Sequence, residues 1–483
     1  MKKLLTILLL LANAAPLTIH AAAPAAPAPS KAAASAKAKP NAKGKAKGKA
    51  AARTPQAAEP ARTKGLQLQD GDRFLFIGDS ITHQCLYTQF VEDFFYTRYP
   101  NIRLHFRNAG VSGDRAVDAL DRFEPDIAAF KPTVATILLG MNDGRYQDFS
   151  PEIFQTYAAD MTKLLDRLDA IQCRVILMSP TMFDHEAFDS MIAANPDRAR
   201  GKTPTNYNAV LAYMGKWGQE VARQRGYLFV DLFGPLNTDT TQERRRDPEF
   251  TLIPDAIHPG ADGQLVMAYS LLKQTGELAS ILRAGVGRDG DEWKSLSPKT
   301  TTDVRRSGDN AVSYKVTPTC LPWAIFEAAP VGARITRAGH TGSQESHVAQ
   351  GLNPGKYELL INGQAVHTFT DRQLAVHGEI EADPDSPTYQ QAMRVIELNR
   401  KRNDEAVRPL RDLYGQRKGR LRTAREKGDE GMAAFAEWEK TEFTPKAAQL
   451  TQRAAELETE IYQINQPSPL EVTIRPAAST GKP

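Results

Sequence analysis

Cysteine is almost missing: Cys85, Cys173 and Cys320 are the three in 483 residues. So sparse and odd a set excludes a disulfide framework, and a hydrophobic core has to hold the fold instead. Long apolar runs are missing too. The apolar stretch at residues 4–12 is soon interrupted by Asn13, Pro16 and Thr18, too short to cross a hydrocarbon core of about 30 Å, and no later segment is long enough either. No internal repeat is found, and no cluster of His, Cys or carboxylates has metal-ligand spacing, so neither metal nor cofactor is expected. A large excess of one charge is absent from the whole chain, which carries +4. The distribution is uneven, however. Residues 24–66 hold ten basic side chains against Glu59, and Lys2 and Lys3 add two more, so removing this net charge of +11 leaves about −7 for the remainder. Nucleic-acid binding by that acidic body is not expected.

What is present begins with Lys2 and Lys3, the apolar stretch and small residues at 21–23. These are the three regions of a secretory signal peptide, assigned to residues 1–23. With no cysteine near the cleavage point to carry a lipid, a soluble product secreted from, or held in the periplasm of, a bacterium is expected. Residues 24–66 are nearly all Ala, Pro, Lys and Gly, with too little apolar surface to offset the entropy of ordering. They read as a disordered linker: either a spacer, or a basic tether touching anionic envelope polymers.

From there, short apolar runs at 74–77, 104–107, 134–139, 174–178 and 228–230 alternate with amphipathic segments at 85–98, 115–130, 153–170 and 206–225. Pro125 breaks the second of these. The alternation predicts an α/β fold, a three-layer α/β/α sandwich around a parallel sheet, over residues 67–286. A last helix is expected over 261–282. Residues 181–204 lack a clear period and read as a loop over the site or a plain connection; His185, within it, receives no catalytic role.

Past residue 287 the pattern changes. Pro354-Gly355, a strand at 357–361, Asn362-Gly363 and a strand at 365–369 make a hairpin of a small β unit within 287–483. Charged helical sequence at 388–427 and 431–465 follows, kinked at Pro409, and residues 470–474 return as a strand. The helices read as an inserted hairpin at about 387–466, extending on the order of 50 Å at 1.5 Å per residue. It is either a solvated hairpin or an arm for oligomerisation or substrate shaping.

Four blocks carry chemistry. Gly78-Asp79-Ser80-Ile81-Thr82 follows the first apolar run; Asn108-Ala109-Gly110 precedes Ser112-Gly113-Asp114; Gly140-Met141-Asn142-Asp143 follows the third run; and Asp255-Ala256-Ile257-His258-Pro259 comes last. Together they supply a hydroxyl nucleophile, a base and an orienting carboxylate, the parts of a serine hydrolase. Ser80, Gly110 and Asn142 stand at strand ends, where open α/β sheets place their sites. Asp255 and His258 are about one tight turn apart, close enough to touch. Asp79 and Asp143 are expected to bond loops rather than react.

In order and placement the blocks resemble the SGNH hydrolases, the broader form of the GDSL esterase family, though Ile81 and Thr82 stand where the name has leucine. The resemblance implies a flavodoxin-like SGNH fold and a Ser80, His258 and Asp255 triad. It also implies an oxyanion hole from the Ser80 and Gly110 amides and the Asn142 side chain, with no metal and no cofactor. By analogy with carbohydrate-active members, the expected substrate is an O-acetyl or other short acyl ester on a polysaccharide, or another small ester. The alternatives are a lysophospholipase, arylesterase or thioesterase of the same family, or a glycan-binding module with little catalysis that stacks sugar on Tyr357 and Trp323. Envelope scaffolding through linker and arm is a further alternative.

Overall fold

Five short apolar segments build the central sheet: β1 (Arg73–Gly78), β2 (His105–Gly110), β3 (Val134–Leu138), β4 (Arg174–Met178) and β5 (Leu228–Val230). They pair in parallel in the order β2-β1-β3-β4-β5, the expected flavodoxin-like sheet. These strands belong to a computed structural model that describes residues 65–478, apart from positions 200, 202–203, 327 and 381–382. The expected leader and all but the last two residues of the expected linker lie outside the described residues.

Around the sheet run α1 (Ser80–His83), α2 (Leu86–Arg98), α3 (Ala116–Asp121), α4 (Pro151–Ala170), α5 (His185–Ala194), α6 (Tyr207–Arg225), α7 (Phe233–Arg244) and α8 (Ala261–Gln274). On one face Phe90 and Phe94 of α2 and Leu265 of α8 pack with Phe74 and Phe76. On the other, Ala119, Leu164 and Leu211 of α3, α4 and α6 pack with Leu75 and Ile77. Burial on both faces is what a parallel sheet requires.

Three expectations need correction. Residues 181–204 are not one loop: α5 lies within them, capped by Asp184, whose carboxylate accepts from Ala187 N at 3.2 Å. Phe188 alone is buried in α5, so its helical period is faint. The last helix of this part stops at Gln274; Gly276, at φ 77°, turns the chain, and Leu282 opens a strand. Residues 115–130 are α-helical only at Ala116–Asp121, then wind as a π turn through Phe123–Ile127, around Pro125, and a 3₁₀ turn at Ala128–Phe130.

The C-terminal part is larger than the small unit expected. It contains β6 (Leu282–Asp289), β7 (Glu292–Ser295), β8 (Thr301–Gly308), β9 (Ala311–Val316), α9 (Pro330–Thr336), α10 (Ala338–Ser343), β10 (Glu345–Gln350), β11 (Lys356–Ile361), β12 (Gln364–Thr370), α11 (Asp371–Val376) and β13 (Gly378–Glu379). Then come α12 (Pro387–Arg402), α13 (Arg408–Glu426), α14 (Gly428–Trp438), α15 (Thr444–Ile464) and β14 (Leu470–Pro476). The strands form two sheets, β13-β10-β6-β7 and β12-β11-β14-β9-β8, which share a core of Val286, Trp293, Tyr314, Leu359 and Val472. The helices α12 to α15 are inserted between β13 and the central strand β14.

The hairpin is not the solvated spur expected as one alternative, because its helices pack on the rest of the chain. The insertion lies on the central domain and closes its β2 edge. Arg402 Nη2 donates to the Phe106 carbonyl at 2.6 Å, and Glu458 accepts from Phe106 N at 3.2 Å, so side chains satisfy backbone groups that an edge strand would leave open. Ala392, Val395 and Ile396 join the core of α2 and α8. Farther along, Leu410, Tyr414, Phe435, Trp438 and Phe443 form a separate core that takes in Val111, next to Gly110. All three cysteines are buried and free.

Candidate active site

The carboxyl end of β1 runs into a single helical turn, α1, whose first residue is Ser80. Asp79 caps it: Oδ1 accepts from Ile81 N at 2.9 Å. The turn sits tightly on the sheet because Gly78 and Gly110, paired across β1 and β2, carry no side chains. A Cβ on Gly78 would meet Thr82 Oγ1 at 2.1 Å, and one on Gly110 would meet His83 N at 2.4 Å.

Far downstream, the segment before α8 brings His258 to Ser80. His258 Nε2 lies 2.7 Å from Ser80 Oγ, and Nδ1 lies 2.7 Å from Asp255 Oδ2. With Nδ1–H donating to the carboxylate, Nε2 is left to accept from the serine hydroxyl. Asp255 Oδ1 also accepts from the backbone N–H of Ile257 and of His258, at 3.0 and 2.7 Å. Burial works to raise the Asp255 carboxyl, but the His258 side chain and these two amides outweigh it and hold the pKa at about 2. Ala256, between them, adopts φ 71°, a left-handed conformation unusual for a residue with a side chain.

The other two blocks converge on the same place. Asn142 Nδ2 donates to the Asp114 carbonyl at 3.1 Å and to Asp79 Oδ2 at 3.3 Å, while its Oδ1 accepts from Tyr146 O–H at 2.9 Å. The Gly110 amide donates to Asn108 Oδ1 at 2.8 Å, and Asn108 Nδ2 donates in turn to the Thr82 carbonyl at 2.7 Å. The second block thus clamps the serine turn through Asn108, and the Gly110 amide is engaged by that clamp. Asp143 bonds loops: its carboxylate accepts from Ala116 N and Gly140 N, at 2.9 and 3.0 Å. Burial lifts two acids here, Asp79 to about 7, against its bond from Ile81 N and the nearby His258, and Asp143 to about 6, against its two backbone bonds.

Several supporting residues stand in no motif. Gln264 of α8 bridges the serine and histidine segments: Oε1 accepts from Tyr87 N at 3.0 Å, and Nε2 donates to Gln84 Oε1 at 2.6 Å and to the Ile81 and Pro259 carbonyls at 3.4 Å. Arg244 holds Asp184 through two bonds of 2.9 and 2.8 Å, and Asp184 N donates to the Ala256 carbonyl. His83 Nδ1 accepts from Ser112 N at 3.2 Å, so Nε2–H faces Asp412 of α13 at 3.1 Å. The run of Gly, Asn and Asp at 140–144 marks a turn in the sequence, but not that Arg145 and Tyr146 both take positive φ, 58° and 53°, to bring Tyr146 onto Asn142.

His185 accepts from Tyr207 N at 3.1 Å and is structural. Trp323 cannot stack on a sugar: it is fully buried against Phe94, with Nε1 donating to the Phe90 carbonyl. Tyr357 is buried as well, its hydroxyl bonded to the Asn353 carbonyl. The aromatic platform expected of a glycan-binding module is therefore absent at these two residues. Among the described residues, no three His, Cys, Asp or Glu side chains gather as metal ligands.

Residues 76–266 match the model of the GDSL-like Lipase/Acylhydrolase family. An acetylxylan esterase from Geobacillus stearothermophilus is 25% identical to this chain over 238 residues, 44% of this chain and 97% of that protein. Among solved structures, a gut microbial diltiazem-metabolizing enzyme is similar in fold, with a TM-score of 0.71 at 23% identity over 85% of this chain and 98% of that one. That likeness extends beyond the central sheet into the C-terminal part.

Proposed function

We propose, from the premise that residues 76–266 belong to the GDSL-like lipase/acylhydrolase family of SGNH hydrolases, that this ester hydrolase is exported and removes O-acetyl or other short acyl groups from a polysaccharide. The observation that carries the proposal is the unbroken chain from Ser80 O–H through His258 to Asp255, two contacts of 2.7 Å each. In this reading Ser80 Oγ attacks the ester carbonyl while His258 Nε2 takes its proton, then returns it to the leaving sugar hydroxyl. Asp255, held ionised, fixes the tautomer and stabilises the imidazolium. Water then repeats the sequence on the acyl-enzyme, releasing the acid and restoring Ser80.

The developing oxyanion is received by the Ser80 amide and by Asn142 Nδ2, which exchanges its long bond to Asp79 for a stronger, charge-assisted one. The Gly110 amide joins only as a donor shared with Asn108. Two observations support a carbohydrate ester: the resemblance to an acetylxylan esterase, and the openness of the site, where the His258 and Asp255 side chains keep 29% and 46% of their exposure. A polymer can reach such a site without threading a channel.

Acetate release from acetylated polysaccharides, with Ser80→Ala and His258→Ala alongside, tests the proposal. Each variant should lose turnover by a factor on the order of 10⁴ or more, and a fluorophosphonate should label wild type but not Ser80→Ala. Retained turnover in Ser80→Ala removes the assigned nucleophile.

A further inference from the structure

Between α3 and α13 lies a cleft of about 700 Å³ that reaches Gly113. Gly113 stands between Ser112, bonded to His83, and Asp114, whose carbonyl holds Asn142, so the cleft adjoins the loop that shapes the oxyanion side of the site. A Cβ at Gly113 would stand 4.0 Å from Lys418 Nζ. Six arginine and lysine side chains, among them Arg115, Lys418, Arg422 and Arg425, line the cleft against three acids, Asp118, Asp121 and Glu426.

This lining, three charges positive on balance, belongs to a body whose net charge is about −7. Deeper in the wall the charges do not cancel: two buried carboxylates, Asp114 and Asp126, face four cations, Arg107, Arg122, Arg411 and Lys418. At the surface two of the cations are loosely tied, whereas Arg425 is held by Asp121 through bonds of 2.7 and 3.1 Å. Arg115 is 3.4 Å from Asp118 and Arg422 is 3.4 Å from Glu426, their side chains 42% and 85% exposed. Such exposed pairs contribute little to stability, so replacing them by a ligand carboxylate costs little. A guanidinium fork meets a carboxylate with two parallel bonds, while the acidic remainder of the surface repels a polyanion and leaves the cleft as its favoured seat.

We propose that this cleft binds the carboxylates of a uronate-bearing polysaccharide, and that the ester presented to Ser80 is an acyl group on that acidic glycan. The second half rests on the esterase reading above; the first does not.

Titration calorimetry of trigalacturonate into full-chain Ser80→Ala tests the binding separately. Binding is expected at low ionic strength, weakening as salt is raised, with no heat from xylotriose at the same concentration. Adding Arg115→Gln and Arg422→Gln, one on each wall, should weaken it about tenfold with an unchanged circular dichroism spectrum. If the double change disturbs folding, Arg422→Glu alone, at the most exposed position, should weaken binding in the same direction. The catalytic arm compares kcat/KM on acetylated oligogalacturonate and acetylated xylooligosaccharide. With Ser80 present, the two arginine changes should lower the ratio of acidic to neutral substrate about tenfold. Absent trigalacturonate binding, equal affinity for xylotriose, or affinity and ratio untouched by the folded variants overturns the inference. Failure of the esterase reading looks different: neither ester releases acetate, while trigalacturonate still binds.

Discussion

Gln264 is fully buried and commits its whole amide to the two segments that carry Ser80 and His258. Removing it leaves the Tyr87 amide without its acceptor inside the core and frees the serine turn from the histidine loop. Gln264→Ala should therefore lower stability by about 1–3 kcal/mol, read by urea denaturation. It should also lower kcat at temperatures where the protein stays folded, because the 2.7 Å contact of Ser80 with His258 has lost its brace. An unchanged kcat would limit Gln264 to a packing role. Asn142 makes a sharper test at this scale. Its amide is held by Asp114 and Asp79 through bonds of 3.1 and 3.3 Å, long enough to give way to an oxyanion. Asn142→Ala should cut kcat roughly 10²- to 10³-fold with little change in KM, since the bond is made chiefly in the transition state. A rise in KM at constant kcat would place Asn142 in ground-state binding instead.

Elements far apart in the chain meet at His83, which joins α1 to α13 across 329 residues through Asp412. Asp412 fixes the proton on Nε2, leaving Nδ1 free to accept from Ser112 N–H, and Ser112 lies two residues before the carbonyl that holds Asn142. Asp412 is thus a positioning residue. Asp412→Ala should lower kcat about three- to tenfold with the thermal midpoint little changed, because the side chain is 63% exposed. Asp412→Asn, whose oxygen can still accept from Nε2–H, should restore most of it; equal losses in the two variants would argue against the relay. None of this was legible in the sequence, because Asp412 reads there as one charge on a charged helix. The central strands were legible, since a parallel sheet covered on both faces needs continuous apolar runs, such as the buried Val175, Ile176, Leu177 and Met178 of β4. In β7, by contrast, Glu-Trp-Lys-Ser buries only Trp293, and no alternation announces a strand. Ser80 and Asn142 were legible as candidates because each stands in a short motif at the end of an apolar run, and Asp255 and His258 because they share one short motif. Gln264, whose bond to Gln84 spans 180 residues, acquires its place only through folding.

Across the whole molecule, the insertion and the central domain are joined by buried polar groups rather than by an oily seam alone. Glu92 and Asp93 of α2 are fully buried and face Asn399, Arg402 and Asn403. Asp93 Oδ1 accepts from Asn399 Nδ2 at 2.8 Å, while Oδ2 is buried without a hydrogen-bond partner. Burial raises the Asp93 pKa well above the usual carboxylate range, against the Asn399 bond and with the Glu92 charge adding to the rise. Asp79 and Asp143, at about 7 and about 6, are raised in the same sense. A carboxyl raised by folding keeps its proton in the native state while the unfolded chain has lost it above about pH 4. Its contribution is whole below that pH and fades as the pH climbs through the native value. Stability should therefore fall from pH 5 to pH 8, and the seam between insertion and central domain should share in the loss through Asp93. Asp93→Asn keeps the acceptor for Asn399 and removes the buried charge. It should match wild type near pH 4 and exceed it at pH 8 by roughly 1–3 kcal/mol, with a shallower slope between, measured by urea denaturation at each pH. Slower amide hydrogen exchange in α12 of the variant at pH 8, relative to wild type at the same pH, would locate the gain at the seam. A variant weaker than wild type at pH 8 would mean that the ionised carboxylate is itself a stabilising partner of Asn399.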